Sequence, residues 1–274
     1  MLARLRHVLR KGRMLCVALD HGFTMPPDGG LLHMADTLKA CGENGASAVL
    51  VHKGFAALAP AVSGMGLIVH LSGSTLLSID PRRKVIVSSV ESALRHGADA
   101  ISIHVNIGSD GETSMLQELG RACDLGFRFG IPLLAMMYPP LSHGGGYQRD
   151  SVTLAHIARV AQECGAAIVK IPLPQQIEEL GEVVRSVTIP LVIAGGDIQE
   201  PRDVLMRAYD AIRHGAIGVS FGRGIYRNSF PGKMVSALRE IIFNEGTVEA
   251  SLAFLTDQQP SNDLWTEGAA PEGG

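Results

Sequence analysis

The chain has 274 residues, of which 46% are hydrophobic, so it is long enough to form one large domain or two small ones around a sizeable core. Its 24 Lys and Arg residues against 27 Asp and Glu leave a net charge of -3, and no basic run with interleaved aromatic residues is present, which argues against a nucleic-acid partner. Apolar stretches such as 132–141 are far shorter than the roughly 20 residues of a membrane helix, so the sequence predicts a cytoplasmic protein that does not enter a membrane.

The N-terminal segment 1–12 is the first predicted element. Leu2, Leu5, Val8 and Leu9 fall on one face of a helix. Short β-rich apolar runs then alternate with longer segments of helical periodicity, which is the pattern of repeated βα units. Eight such runs occur, at 14–22, 48–54, 67–73, 100–108, 132–140, 167–172, 190–196 and 217–224.

The segments between these runs have one apolar face each. In 151–164, Leu154, Ile157, Ala158 and Ala161 share a helical face, and in 83–96 the same spacing is seen at Ile86, Val90, Ala93 and Leu94. Gly-Ala pairs at 45, 97, 165 and 215 precede four of the runs, where glycine is suited to end the preceding helix. Eight parallel strands in roughly 250 residues predict a (β/α)8 TIM barrel rather than a doubly wound open sheet, with segment 1–12 as a helix that caps one end.

The expected domain organisation is simple. Residues 1–256 are predicted to form a single barrel domain, and 257–274, which are polar and rich in Gly and Pro, a flexible, disordered tail that contains Trp265. The four cysteines (Cys16, Cys41, Cys123 and Cys164) have no CxxC spacing, so we expect reduced thiols and no structural zinc.

Residues at the C-terminal ends of the strands are the candidates for chemistry, because active sites of such barrels form there. The main candidates are Asp20, His21, His104, Tyr138, Lys170, Gly195, Gly196, Gly222 and Arg223. Several further histidines end strands, so a metal hydrolase is an alternative. The first strand ends Asp-His-Gly, however, where barrel metallohydrolases commonly have a His-x-His pair, and we expect no metal.

Two glycine-rich strand ends favour a phosphorylated substrate. They are the AGGD stretch at 194–197 and the FGRG stretch at 221–224, on strands seven and eight. Loops in these positions commonly bind phosphate, because glycines let backbone N–H groups approach the oxygens, and Arg223 would add a forked donor.

Lys170 lies between Val169 and Ile171 in an otherwise apolar strand. A lysine with its ordinary pKa near 10.4 is uncharged in only about one molecule in a thousand near neutral pH, whereas burial that lowers the pKa by about 3 units would free about half of the amine. A free amine attacks a ketone to form an imine, which acts as an electron sink for C–C bond cleavage or formation. The alternatives are a lysine paired with Asp20, a phosphate-binding cation, or Lys53 as the reactive amine.

Seven short motifs occur in an order that resembles a known family. They are LDHG (19–22), VHKG (51–54), HLSGST (70–75), HVNIGSDGE (104–112), LLAMMYP (133–139), VIAGGD (192–197) and GRGIY (222–226). From about residue 14 to 245 the chain resembles the DeoC/FbaB-like class I aldolases, which include archaeal-type fructose-bisphosphate aldolases and 2-amino-3,7-dideoxy-D-threo-hept-6-ulosonate synthases. The HVNIGS and AMMYP stretches are more similar to the synthase branch.

The resemblance implies a role for each matching position. Lys170 would form the Schiff base, Tyr138 would donate and accept the proton, and Asp20 would orient substrate hydroxyls or assist proton transfer. Gly195, Gly196, Gly222 and Arg223 would bind phosphate, with His21 and His104 as further substrate contacts. The resemblance also implies no cofactor beyond the covalent imine, and a homo-oligomer of about ten subunits.

Two departures from the family pattern concern the substrate more than the chemistry. Pro172 and Pro174 follow the lysine where the family often has a polar segment, and Gly224 stands where an asparagine is common. The resemblance implies an aldolase or transaldolase that joins a three-carbon ketose-phosphate unit to an aldehyde such as aspartate semialdehyde. The product would enter the biosynthesis of aromatic amino acids or of aminohydroxybenzoate-type compounds. The alternatives are a fructose-bisphosphate aldolase and a non-catalytic barrel that binds a sugar phosphate.

Overall fold

A computed structural model describes residues 2–59 and 64–256 of the chain. Eight parallel strands close into a barrel in the order β1-β8-β7-β6-β5-β4-β3-β2. They are β1 (Met14–Ala18), β2 (Ala48–His52), β3 (Gly66–His70), β4 (Ala100–Asn106), β5 (Leu133–Tyr138), β6 (Ile168–Ile171), β7 (Leu191–Ala194) and β8 (Gly218–Phe221). Seven of the eight lie inside the predicted apolar runs and β3 begins one residue before its run, at Gly66, so the predicted (β/α)8 barrel is confirmed.

Helices surround the barrel in the described part of the chain. The longer ones are α1 (Leu2–Val8), α2 (Met34–Glu43), α3 (Val90–Arg95), α4 (Glu112–Phe129), α5 (Ser151–Glu163), α6 (Leu180–Arg185), α7 (Pro201–Arg213), α8 (Pro231–Asn244) and α9 (Val248–Thr256). Single helical turns at His21–Thr24, Lys53–Ala56 and Arg223–Tyr226 follow β1, β2 and β8, and short 3-10 segments lie at Gly29–Leu31 and Ile177–Glu179. None of the described helices has the length and apolar character needed to cross a membrane.

The core has two layers because successive strand residues point to opposite faces. Residues such as Val169 and Ile171 face the surrounding helices, whereas Met14, Leu50 and Met136 fill the barrel interior. Helix α1 closes the N-terminal end of the barrel, since Val8 is buried in the interior and Leu5 and Leu9 pack against it. The predicted capping helix is thus confirmed and ends at Val8.

The Gly-Ala pairs do end helices as expected. Gly45, Gly97, Gly165 and Gly215 all have φ between +77° and +99°, a backbone region that favours glycine. The predicted helical face that began at Ile86 is wrong at its start. Ile86 and Val85 instead pair with Ser72 and Gly73 in a short antiparallel ribbon, and α3 begins only after Ser89, whose hydroxyl accepts from the Ser92 N–H.

The four cysteines are free thiols, as predicted. The single-domain assignment of 1–256 stays a prediction, and the predicted tail 257–274 with Trp265 lies outside the described residues.

Candidate active site

A cavity of about 460 Å³ opens at the C-terminal end of the barrel. All nine candidate site residues contribute to its lining: Asp20, His21, His104, Tyr138, Lys170, Gly195, Gly196, Gly222 and Arg223. Residues up to about 200 positions apart in the sequence are therefore brought together at one site. The chemical role of each residue is a separate matter and stays a prediction.

Lys170 points into this cavity from β6. Its neighbours Val169 and Ile171 pack on the helix side of the strand, so the alternating geometry directs Lys170 into the barrel. The side chain is only 5% exposed. Burial lowers the pKa of its amine, Asp20 and Cys16 oppose this effect, and the charge of Arg223 adds to it. Within the described residues the amine forms no hydrogen bond or ion pair, which leaves it available to a ligand.

Asp20 contacts histidines instead of Lys170. Its carboxylate oxygens lie 3.5 Å from Nδ1 of His21 and 4.0 Å from Nε2 of His70. Burial by itself would raise the pKa of Asp20, but the combined positive charge of His21, His70, Lys170 and His52 outweighs burial and lowers it. The alternative in which Asp20 and Lys170 form a direct ion pair is therefore not what the structure shows.

Lys53 is in a different position. Its side chain is exposed and its amine donates a hydrogen bond to the backbone oxygen of Val87 at 2.8 Å. It does not contribute to the lining of the cavity around Lys170. Of the two lysines at strand ends, only Lys170 has a buried side chain.

Tyr138 and His104 form one wall of the cavity. Their rings are stacked, with centroids 4.5 Å apart and an interplanar angle of 8°. Burial raises the pKa of Tyr138 to about 12, and the charge of Asp20 acts in the same direction. The phenol is therefore protonated at neutral pH and can donate a proton.

Asn106 determines which nitrogen of His104 carries a proton. The Asn106 amide nitrogen donates to the backbone oxygen of Arg82 at 2.6 Å, so its Oδ1 faces Nε2 of His104 at 2.9 Å and must accept. Nε2 then carries the hydrogen, and Nδ1 is left as an acceptor. Burial, together with the charge of Lys84, lowers the pKa of His104 to about 3, so the ring is neutral near pH 7.

The glycine-rich ends of β7 and β8 form a corner with space for a ligand. A Cβ on Gly222 would lie 2.7 Å from the Ala18 backbone oxygen and 2.7 Å from the His21 ring, so a larger residue would displace one of them. Gly196 has a φ of +70°. Arg223 lines the same corner, and its guanidinium is held by Asp197 at 2.8 Å. The exposed backbone and this positioned guanidinium suit a phosphate group.

Ten further residues line the cavity that strand-end reasoning did not select. They are Thr24, Met25, Lys84, Met136, Tyr147, Arg149, Pro172, Ala194, Arg207 and Ser220. Period-two alternation could have found Met136, Ala194 and Ser220, because each lies two positions before a selected residue, Tyr138, Gly196 or Gly222. Lys84 and Arg149 come from long loops and Arg207 from α7, where no comparable pattern points to the cavity. Within residues 2–59 and 64–256, no group of three or more His, Cys, Asp or Glu side chains is arranged to hold a metal ion.

A buried lysine inside a parallel barrel, with a phenol and a glycine-lined corner in the same cavity, fits the class I aldolases, the enzymes that make or break C–C bonds through an imine. The comparisons agree. A model of the DeoC/LacD family aldolases matches residues 14–228, and the chain belongs to this family.

Two relatives and one solved structure illustrate the similarity. The chain is 38% identical over 253 residues to 2-amino-3,7-dideoxy-D-threo-hept-6-ulosonate synthase 1 of Archaeoglobus fulgidus, covering 92% of this chain and 94% of the relative. It is 36% identical to 2-amino-4,5-dihydroxy-6-oxo-7-(phosphonooxy)heptanoate synthase of Streptomyces griseus, covering 88% and 89%. A Schiff-base-forming fructose-1,6-bisphosphate aldolase superposes with a TM-score of 0.79 at 27% identity, covering 87% of this chain and 98% of that structure.

Proposed function

We propose that this aldolase uses Lys170 to hold a three-carbon ketose-phosphate fragment and joins it to an aldehyde. The observation that carries the proposal is the Lys170 amine, 5% exposed, with a lowered pKa and without a protein partner at the base of the cavity. The non-catalytic barrel needs none of these features, and membership of an aldolase family argues against it.

The covalent steps follow from amine chemistry. The uncharged amine of Lys170 adds to the ketone carbon, a C–N bond forms, and the ketone oxygen leaves as water after protonation. The β-hydroxyl of the bound ketose gives up its proton, the C–C bond between the α and β carbons breaks, and its electron pair enters the cationic imine to give an enamine and a free aldehyde. With dihydroxyacetone phosphate as the donor, loss of a proton from the α carbon of the imine gives the same enamine. The enamine carbon then attacks a second aldehyde, whose oxygen takes up a proton, and water adds to the new imine to release the product and the lysine.

The proposed roles match the positions of the side chains. Tyr138 donates the proton to the oxygen that leaves or forms at the reacting carbons, since its raised pKa keeps the phenol protonated. Asp20, whose lowered pKa keeps it ionised, accepts hydrogen bonds from substrate hydroxyls. His21 and His104 are adjacent contacts.

The phosphate of the donor is proposed to bind in the corner between β7 and β8. Gly195 and Gly196 leave the backbone accessible there, the buried Gly222 lines the same corner, and Arg223 supplies the charge. The other end of the donor then reaches Lys170 across the same cavity.

The names of the relatives favour an amino aldehyde as the acceptor. Both synthases are named for seven-carbon 2-amino products, and a three-carbon donor joined to a four-carbon aldehyde such as aspartate semialdehyde gives that skeleton. Fructose-bisphosphate cleavage is the second candidate, favoured by structural similarity to an archaeal fructose 1,6-bisphosphate aldolase at 26% identity and a TM-score of 0.79. The homo-oligomer of about ten subunits and the cytoplasmic location stay predictions.

A substrate panel with two matched variants tests this function. Purified protein is mixed with dihydroxyacetone phosphate, fructose 1-phosphate or fructose 1,6-bisphosphate, and with a series of aldehydes, and products are measured by mass spectrometry. Turnover should require Lys170 and survive Lys53→Met, because Lys53 is exposed at another strand end. A Lys170→Met protein that turns over at the wild-type rate would rule the proposal out.

A further inference from the structure

Arg149 and Arg207 are two cavity-lining cations with no role in the proposed mechanism. Arg149 lies in the loop after β5, where its backbone oxygen accepts a hydrogen bond from the Gln175 N–H at 2.9 Å. Arg207 reaches the cavity from α7, across the Cα of Gly196: a Cβ at Gly196 would lie 3.1 Å from its Nη1. Two separate elements thus deliver guanidinium groups to the same side of the site.

The two guanidiniums repel each other, and neither forms an ion pair with a described residue. Burial, followed by the positive charge of Arg149, lowers the pKa of Arg207. Asp203 lies one turn earlier on α7 and attracts Arg207, but its side chain is exposed and forms no ion pair with it. Within the described chain, Nε of Arg207 is buried and has no hydrogen-bond partner. A buried, unsatisfied donor of this kind costs stability unless a ligand satisfies it.

Three other cations at this end of the barrel have protein partners. Arg223 contacts Asp197 at 2.8 Å, and Arg227 contacts Asp28 at 2.7 Å. Lys84 donates to the hydroxyl of Ser74 at 2.7 Å. Arg149 and Arg207, by contrast, are cavity-lining arginines that form no ion pair with a described residue, so their charge is available to a ligand in the cavity.

We propose that Arg149 and Arg207 form a second anion subsite, which binds an anionic group on the acceptor aldehyde. Planar guanidinium groups bind carboxylate or phosphate through paired, charge-assisted hydrogen bonds, and an anion between the two would also remove their repulsion. The subsite selects aldehydes that carry a carboxylate or a phosphate over neutral ones. This inference rests on the proposed function, because it assigns the second substrate of that reaction.

The arginines could instead belong to the donor phosphate, because Arg207 packs on Gly196. The two assignments differ in which half of the reaction they affect. A donor role predicts weaker binding of the ketose phosphate before any aldehyde is present. An acceptor role predicts unchanged donor binding and a loss confined to charged aldehydes.

The kinetic test uses Arg149→Gln, Arg207→Gln and the control Arg202→Gln, an exposed arginine on α7 whose side chain pairs with Glu249 at the surface. The acceptors are aspartate semialdehyde, glyceraldehyde 3-phosphate and neutral glyceraldehyde. For a charged aldehyde, kcat/KM should fall by about 10- to 100-fold in the first two variants, whereas the value for glyceraldehyde should stay within about threefold of wild type. The larger of the two losses identifies carboxylate or phosphate as the preferred anion.

Borohydride trapping of dihydroxyacetone phosphate on the protein reports the donor half-reaction alone and shows that each variant is folded. The half-saturating concentration should be the same in all four proteins. An increase of about tenfold in Arg149→Gln and Arg207→Gln would assign the arginines to the donor phosphate and overturn the proposal. Equal losses for charged and neutral aldehydes would overturn it as well.

A binding measurement separates this proposal from the reaction itself. Calorimetric titration with succinate, which cannot form an imine, should show affinity weakened about tenfold by Arg149→Gln and by Arg207→Gln but unchanged by Arg202→Gln. Unchanged affinity in the first two variants would contradict the subsite. If succinate binding depends on these arginines while no ketose phosphate is ever trapped, the anion subsite stands and the proposed aldolase chemistry of Lys170 fails.

Discussion

The ring of His104 lies parallel to the ring of Tyr138, with 4.5 Å between the centroids. This contact holds the phenol in the wall of the cavity, and Asn106 holds the histidine in turn through a hydrogen bond of 2.9 Å. Tyr138, the proposed proton donor, is thus held in place by two neutral side chains: His104 stacks on its ring, and Asn106 orients His104.

Tyr138→Phe removes the proposed proton donor and keeps the ring stacking. Because general acid–base catalysis contributes roughly 10²- to 10⁴-fold, we expect kcat for the aldol reaction to fall in that range. Tyr147→Phe is the matched control, since its ring contacts Tyr138 at 5.4 Å and its side chain is more exposed. Steady-state kinetics of both variants test whether Tyr138 is the proton donor. Similar kcat values for the two variants would show that it is not.

Asn106→Leu should disturb the site through His104. The substitution leaves the partly buried Arg82 backbone oxygen without its donor and frees Nε2 of His104, so both tautomers become accessible. We expect the free energy of unfolding to fall by about 1 to 3 kcal/mol, together with a mixture of tautomers in the ¹⁵N NMR spectrum of the imidazole. A spectrum that still shows one tautomer, protonated on Nε2, would mean that Asn106 does not control it.

Gly222→Ala tests the phosphate corner. The added methyl group would collide with the Ala18 backbone oxygen or push His21 aside, and overpacking of this kind costs about 1 to 3 kcal/mol. The KM for the ketose phosphate should rise by at least about tenfold if the backbone here contacts the phosphate. Gly54→Ala is the control, because a Cβ there would meet nothing within 4 Å. Equal KM values in both variants would place the phosphate elsewhere.

The pH dependence of imine formation should reflect the lowered pKa of Lys170. Only the unprotonated amine attacks, so the trapping rate rises with pH through the pKa of the amine, and burial places this rise below the ordinary lysine value of 10.5. Asp20 raises the pKa of Lys170, so Asp20→Asn should shift the rise to still lower pH. Rates measured from pH 5 to 10 test both points, and a shift to higher pH in the variant would contradict this electrostatic account.

Much of the fold could be predicted because hydrophobic periodicity reports directly on burial. All eight strands were located, since a strand buried on both faces is a continuous apolar run. The start of the helix near residue 86 could not be predicted, because Ile86 fits a helical pattern by spacing alone, whereas its actual partner is Ser72, on the other side of an intervening loop. Pairing across a loop is not recorded in local periodicity.

The site residues at strand ends could be predicted from the sequence, whereas those supplied by loops and helices could not. Lys170 is identifiable because a charged residue in a buried strand requires an explanation, and its inward direction follows from alternation. Arg207 lies on a helix whose polar residues give no reason to single it out. The Gly224 departure also has a structural cause, since a Cβ there would lie 2.7 Å from the Val204 side chain, so this position is packed against α7.

The most direct measurement is the mass and location of a reduced adduct. The protein is incubated with dihydroxyacetone phosphate, treated with sodium borohydride, digested and sequenced by tandem mass spectrometry. We expect one modification, of the mass of the reduced imine, on the peptide that contains Lys170, and none in Lys170→Met. An adduct on Lys53 or on any other lysine, or no adduct under conditions where the protein turns over, would contradict the assignment of Lys170 as the amine that binds the substrate.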